Sequence, residues 1–157
     1  MSTLEAKVSD FLSLKRIAVA GVSRTKQDAA NLIYRKLKAA GYQVFPINPN
    51  ANTFENDPCY PDLKSIPGGV GGVVIVTRPK LAEEIVRQCA EAGVSRVWLH
   101  QSMIKSGTSV SEEAVRICSE HSITVIAGAC PMMFCQPVDF GHKCMRWMMR
   151  TTGGLPK

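Results

Sequence analysis

The chain has 157 residues, enough for one ordinary domain and too few for two of comfortable size. Its 45% hydrophobic fraction can fill a core without a disulfide or metal staple, and no run approaches the ~18 apolar residues of a membrane span. The formal charge of +6 and a pI near 9.1 favour an anionic partner, but the cations are spread along the chain.

The first fifteen residues mix charged with apolar side chains and contain no long apolar stretch, so they do not read as a signal peptide. A soluble, cytoplasmic protein is expected. Leu4, Val8, Phe11 and Leu12 recur at helical spacing and predict a short amphipathic helix. Arg16 to Gly21 is an apolar run ending in glycine, as expected of a strand buried on both faces. Asp28 then stands as N-cap of a helix with the stripe Ala30, Ile33, Leu37 and Ala40, stopped by Gly41. Tyr42 to Ile47 predicts a second strand, running into the turn Asn48-Pro49-Asn50.

Between Asn52 and Gly72, three prolines and four glycines predict a long ordered connection, or one short helix between loops. Val73 to Val76 is a third strand. Pro79 suits the first turn of the next helix, with the stripe Leu81, Ile85, Cys89 and Ala92 and a stop at Gly93. A fourth strand follows at Arg96 to Leu99. Ser109 and Glu112 are spaced as a capping box for a helix carrying Val110, Ala114 and Cys118. Ile123 to Ala127 is a fifth strand, and a last helix carries Phe140, Cys144, Trp147 and Met148 on one face and Lys143, Arg146 and Arg150 on another.

Short apolar strands alternating with helices predict an α/β fold: a doubly wound, parallel, five-stranded sheet with helices on both faces. One domain is expected over 1–157, with its core at about 11–133 and a helical extension at 134–157. In such a sheet the ligand lies beyond the carboxyl ends of the strands. That rule nominates the loops opening at Gly21, Asn48, Thr77, His100 and Gly128.

Gly21-Val22-Ser23-Arg24-Thr25-Lys26 joins the first strand to its helix, where backbone N–H groups and the helix dipole favour phosphate. Ser23 and Thr25 bring hydroxyls; Arg24 and Lys26 bring charge. The dinucleotide pattern G-x-G-x-x-G is not met, since Ser23 and Lys26 occupy its second and third glycine positions. At the end of the second strand, NAD-binding domains place a carboxylate for the ribose hydroxyls. Here Asn48 stands there, with no carboxylate before Glu55. A neutral side chain suits a ribose that carries its own phosphate, as in coenzyme A or NADP. Asn48 also serves the Asn-Pro turn. Arg78 and Lys80 flank Pro79 at the third strand's mouth, and Arg78 is the better placed to grip a phosphate.

Nucleophilic readings fare poorly. Thr25 fills the second glycine's place in a G-x-S-x-G elbow, and His100, His121 and His142 lack the surroundings that mark a catalytic base. An NADP-dependent reductase or a CoA-linked transferase would have to use His100 and Cys130 at the strand ends. The six cysteines form no C-x-x-C, and Cys130, Cys135, His142 and Cys144 match no structural-zinc spacing. Most are expected to be small buried apolar residues. No zinc-finger or RNP-like pattern marks a nucleic-acid binder. The methionine clusters of the last segment are expected to be packing surface, or an interface between two copies through the final helix.

In order along the chain, IAVAGVS (Ile17 to Ser23), GYQVFPINPN (Gly41 to Asn50) and CYPDLKSIPGGV (Cys59 to Val70) are followed by VVIVTRP (Val73 to Pro79), VWLHQS (Val97 to Ser102) and TVIAGACPMM (Thr124 to Met133). This succession resembles the small stand-alone coenzyme A–binding proteins, which are similar to the N-terminal nucleotide-binding domain of the succinyl-CoA synthetase α subunit. The resemblance implies a Rossmann-like fold holding CoA or acyl-CoA along the strand ends. It implies phosphate contacts at Gly21, Val22 and Ser23, and an adenosine bordered by Asn48 and Pro49. A path towards the pantetheine would be lined by Val76, Thr77, Arg78 and Pro79, and Cys130-Pro131 matches the family's Cys-Pro. The role implied is binding, sensing or carriage of CoA species, and no catalytic residue is assigned.

Overall fold

The computed structural model describes residues 3–24, 27–102 and 107–157. Helix α1 (Leu4–Leu12) leads into β1 (Arg16–Ala20), α2 (Ala29–Ala39) and β2 (Gln43–Ile47). A small hairpin of β3 (Thr53–Phe54) and β4 (Asp57–Pro58) follows, then β5 (Gly72–Ile75), α3 (Pro79–Glu91), β6 (Arg96–Leu99), α4 (Glu112–Glu120) and β7 (Thr124–Ala127). A 3-10 turn at Pro131–Met133 and helix α5 (Phe140–Thr152) end the described order.

The five long strands pair in parallel in the order β2-β1-β5-β6-β7. The sequence order reverses between β1 and β5, so the switch point of the sheet lies between the loops after Ala20 and after Ile75.

Alternation along each strand divides the core into two layers. Ile17, Val19, Val74, Trp98 and Ile126 face α1, α2 and α5. Ala18, Ala20, Val73, Ile75, Val97 and Leu99 face α3 and α4. Successive side chains of a strand point to opposite faces, so a strand covered on both sides must be apolar throughout. This is why the strands read as unbroken apolar runs. Trp98 shows how the buried polar atoms are handled: its ring meets Phe11 edge-on with centroids 5.5 Å apart, and its Nε1–H donates to the Gly128 carbonyl at 3.0 Å.

Several local expectations are corrected. Of the two alternatives for Asn52–Gly72 the ordered connection holds and the short helix does not: the segment contains the β3–β4 hairpin, whose turn has Glu55 and Asn56 at φ +47° and +70°. The cap of α4 is Ser111, whose hydroxyl accepts from the Ala114 N–H at 3.0 Å; Ser109 and Val110 precede the helix. Leu81, expected in the core stripe of α3, is 41% exposed, because Ala82, Ile85, Val86 and Cys89 make the inward face. In α5, for which no inward face was expected from the sequence, Phe140, Cys144, Trp147 and Met148 point outward and Met149 is the buried residue.

Candidate ligand-binding groove

The chain turns sharply at the end of β1, where Gly21 adopts φ +111°, a region costly for side chains. A Cβ at this position would also run into the Val76 carbonyl. Glycine therefore lets the first loop cross directly over the end of β5, which brings the two sides of the switch point together.

The next residue pair is fixed by a buried amide. Asn31 on α2 is 1% exposed; its Oδ1 accepts from the Ser23 N–H at 3.0 Å and its Nδ2 donates to the Ser23 carbonyl at 2.8 Å. Asp28 occupies the N-cap position of α2, as expected, but makes no side-chain cap bond. Its carboxylate instead accepts from the Ser23 hydroxyl. Across the groove, Asn48 donates through Nδ2 to the Val22 carbonyl at 2.8 Å and accepts from the Asn50 N–H at 2.8 Å. Asn48 thus stitches the first loop to the second and holds the Asn-Pro turn.

On the other side of the switch point, Ser109 is 1% exposed and clamps Thr77. Its hydroxyl accepts from the Thr77 N–H at 2.9 Å and donates to the Thr77 carbonyl at 2.7 Å. This explains why Ser109 does not cap α4. Arg78 follows as the exposed N-cap of α3, with Pro79 at the first helical position. His100, at the end of β6, is 4% exposed, and burial pulls its imidazole down to about 4. It is therefore neutral at neutral pH, presenting one donor and one acceptor.

These loops enclose three adjoining hollows along the carboxyl edge. One, of about 570 Å³, is lined by Val22, Ser23, Arg24, Asn31, Arg35, Asn48 and the segment from Asn50 to Glu55. A second, of about 230 Å³, has Gly21, Val22, Asn48, Pro49, Leu81 and Ile85 among its walls. A third, of about 410 Å³, is lined by Val76, Thr77, Arg78, Pro79, His100 and Ser109 with their neighbours. Val22 and Asn48 are shared by the first two, and Thr77 by the last two. The result is an extended groove, polar and cationic at the β1–β2 end and apolar in its middle.

Measured against the expected site, Ser23, Arg24 and Asn48 share one hollow, Arg78 and Pro79 lie in another, and the middle hollow joins them. Lys26 lies outside the described residues. Lys80, placed beside Arg78 by the sequence, pairs with Glu83 at 3.4 Å. Cys130 and Pro131 are buried and line none of these three hollows. Burial pushes the Cys130 thiol up to about 11, which leaves it largely protonated and unreactive at neutral pH. Sequence reading missed Asn31, Arg35 and the groove role of Leu81. Glu55 also reaches the first hollow, where it accepts from the Arg35 guanidinium at 2.6 Å.

A doubly wound parallel sheet whose groove crosses its switch point defines a Rossmann-like nucleotide-binding fold. The sequence pattern of the family described as CoA binding domain matches residues 15–136, and the chain belongs to that family. It is 28% identical over 122 residues to acetate–CoA ligase (ADP-forming) II of Archaeoglobus fulgidus, a match covering 74% of this chain and 18% of that protein. A solved structure of a hypothetical protein from Pyrococcus horikoshii superposes with a TM-score of 0.76 at 27% identity, covering 83% of this chain and 89% of the other. The dinucleotide-forming acetyl-coenzyme A synthetase 1 of Ca. Korarchaeum cryptofilum gives 0.62 at 28% identity, over 71% of this chain and 25% of the other. The chain thus spans only a small part of the two synthetic enzymes. Among the described residues, no helix is long and apolar enough to cross a membrane.

Proposed function

We propose that the chain binds coenzyme A or an acyl-CoA along this groove and acts as a binding, sensing or carrier module. The carrying observation is the continuity of the three hollows across the switch point, from Ser23 and Arg24 through Leu81 to Arg78 and His100. An elongated ligand with phosphates near one end and a less polar arm matches that sequence of surfaces. Membership of the CoA binding domain family supports the same ligand.

The contacts divide by magnitude. A micromolar complex needs about 8 kcal/mol of net binding free energy. Exposed phosphate contacts at a helix terminus give roughly 0.3–1 kcal/mol each. Arg24 and Arg78 therefore orient the ligand, and burial of adenine and pantetheine against Pro49, Leu81 and Ile85 supplies most of the remainder. Leu81 fits this role, since an apolar side chain left 41% exposed gains by being covered.

Calorimetry with CoA, acetyl-CoA, NAD and NADP tests the proposal. Both CoA species are expected to bind at micromolar concentrations and the nicotinamide dinucleotides much more weakly. Failure of both CoA species to bind at hundreds of micromolar would overturn it.

A further inference from the structure

In the third hollow the fold makes no use of the His100 ring. The side chain is 4% exposed, yet among the described residues no group bonds either ring nitrogen. No sealed side-chain nitrogen or oxygen among those residues lacks a partner, so the unbonded ring nitrogens still open outward, and the space beside them is the hollow that His100 lines. The neighbouring hydroxyls, by contrast, are engaged. Ser109 holds both groups of the Thr77 peptide, the Thr77 hydroxyl donates to the Arg78 carbonyl at 3.1 Å, and the Thr108 hydroxyl accepts from the Val110 N–H at 3.1 Å. Buried polar groups are as a rule hydrogen-bonded, so an imidazole fixed by burial with its donor and acceptor unused needs a partner from outside the chain.

We propose that His100 recognises the pantoyl head of the ligand's arm, the branched hydroxyamide joined directly to the diphosphate, and that the third hollow is the pocket for it. This rests on the reading of the groove as a CoA site. Charge selects the group. The ring is neutral and burial opposes its protonation, so a phosphate beside it would go unmatched. An uncharged hydroxyl or amide meets either ring nitrogen, as donor to one or acceptor from the other.

Shape and reach agree with charge. Ala29, Val76 and Pro79 line the same hollow and suit the two methyl groups on the branched carbon of the pantoyl unit, which a nicotinamide ribose lacks. Arg78 lines it as well, and a phosphate held by its guanidinium has the pantoyl head as its next neighbour along the ligand. A hollow of about 410 Å³ is roughly 9 Å across, so the thiol end, about a dozen bonds further along the arm, falls outside it. His100 therefore reads the start of the arm and not the acyl group.

Ring-nitrogen resonances of isotope-labelled histidine test the contact, with those of His100 assigned by their loss in His100→Gln. One His100 ring nitrogen is expected to move when the wild-type chain is saturated with CoA. It should stay in place with adenosine 3′-phosphate 5′-diphosphate, which carries the same nucleotide and no arm, and with NADP. By calorimetry the wild-type chain should favour CoA over the armless nucleotide. His100→Leu should shrink that ratio about tenfold, and His100→Gln, which keeps a donor and an acceptor, should recover most of it. The ring titrations are made on the wild-type chain, so they stand even where the Leu variant fails to fold. A silent ring at CoA saturation, a ring that answers the armless nucleotide or NADP as it answers CoA, or a ratio untouched in His100→Leu would overturn the pantoyl contact and leave the groove reading standing. A wild-type chain that binds no CoA would overturn both.

Discussion

The two ends of the groove are built in different ways. At the β1–β2 end, backbone and side-chain polar groups are tied to one another: Ser23 to Asn31 and Asp28, Asn48 to Val22 and Asn50. At the β5–β6 end, one buried hydroxyl, Ser109, fixes the Thr77 peptide, while Arg78 stands exposed and His100 is neutral in an almost closed site. The first end is polar and tied to itself, with the Ser23 N–H and hydroxyl both engaged and Arg24 exposed beside them. The second joins the exposed Arg78 to a weakly polar wall, which on the proposed reading meets a phosphate and the start of the ligand's arm. The contrast is between an end whose polar groups are spent on one another and an end held by one buried hydroxyl beside an exposed arginine.

The largest way to break the contrast is at the turn joining the two ends. Gly21→Val combines a costly positive φ with a collision against the Val76 carbonyl, and should cost roughly 3–5 kcal/mol in urea unfolding. A smaller loss would show that the two loops can separate without penalty.

Acid should separate the ends next. His100 has a folded-state pKa near 4, below the ordinary 6.5, so the unfolded chain binds the extra proton between those values. The stability that neutral His100 preserves is fully present above about pH 6.5 and is lost as pH falls towards 4. At 1.36 kcal/mol per pH unit this amounts to about 3 kcal/mol. In His100→Gln that slope should flatten, and an unchanged pH profile would contradict the burial of an unprotonated ring.

Asn31→Leu removes both bonds to the Ser23 backbone and leaves its groups to find water in a partly buried loop. A loss of about 2 kcal/mol in stability is expected, with weaker CoA binding by calorimetry. Arg78→Ala sharpens the comparison with least disturbance, because the side chain is exposed. It should weaken CoA about tenfold, leave the unfolding free energy within about 0.5 kcal/mol, and reduce the salt dependence of binding.

The sequence made the layered sheet legible because burial on both faces forces apolar strands, and those strands lie within a residue of their expected bounds. Local spacing misled where a side chain bonds across the fold. Ser109 has the spacing of a helix cap, yet its hydroxyl is captured by Thr77, 32 residues away. Asn31 sits beside the apolar stripe of α2 with no local sign that both ends of its amide would be used. Leu81 satisfied the helical period of α3 but falls on the groove side of it. The outward stripe of α5 was visible as a face, but periodicity cannot say which face the domain covers. Of the expected site residues, Ser23, Asn48 and Arg78 line the hollows that their positions at strand ends suggested, whereas Cys130 and Pro131 are buried and line none of the three.

An amide map of the protein titrated with CoA tests the account most directly. The account predicts that Val22, Ser23, Asn48, Thr77, Arg78 and His100 shift together along one saturation curve, as a single ligand spans both ends. Shifts confined to one end, or two ends saturating at different concentrations, would contradict a continuous site.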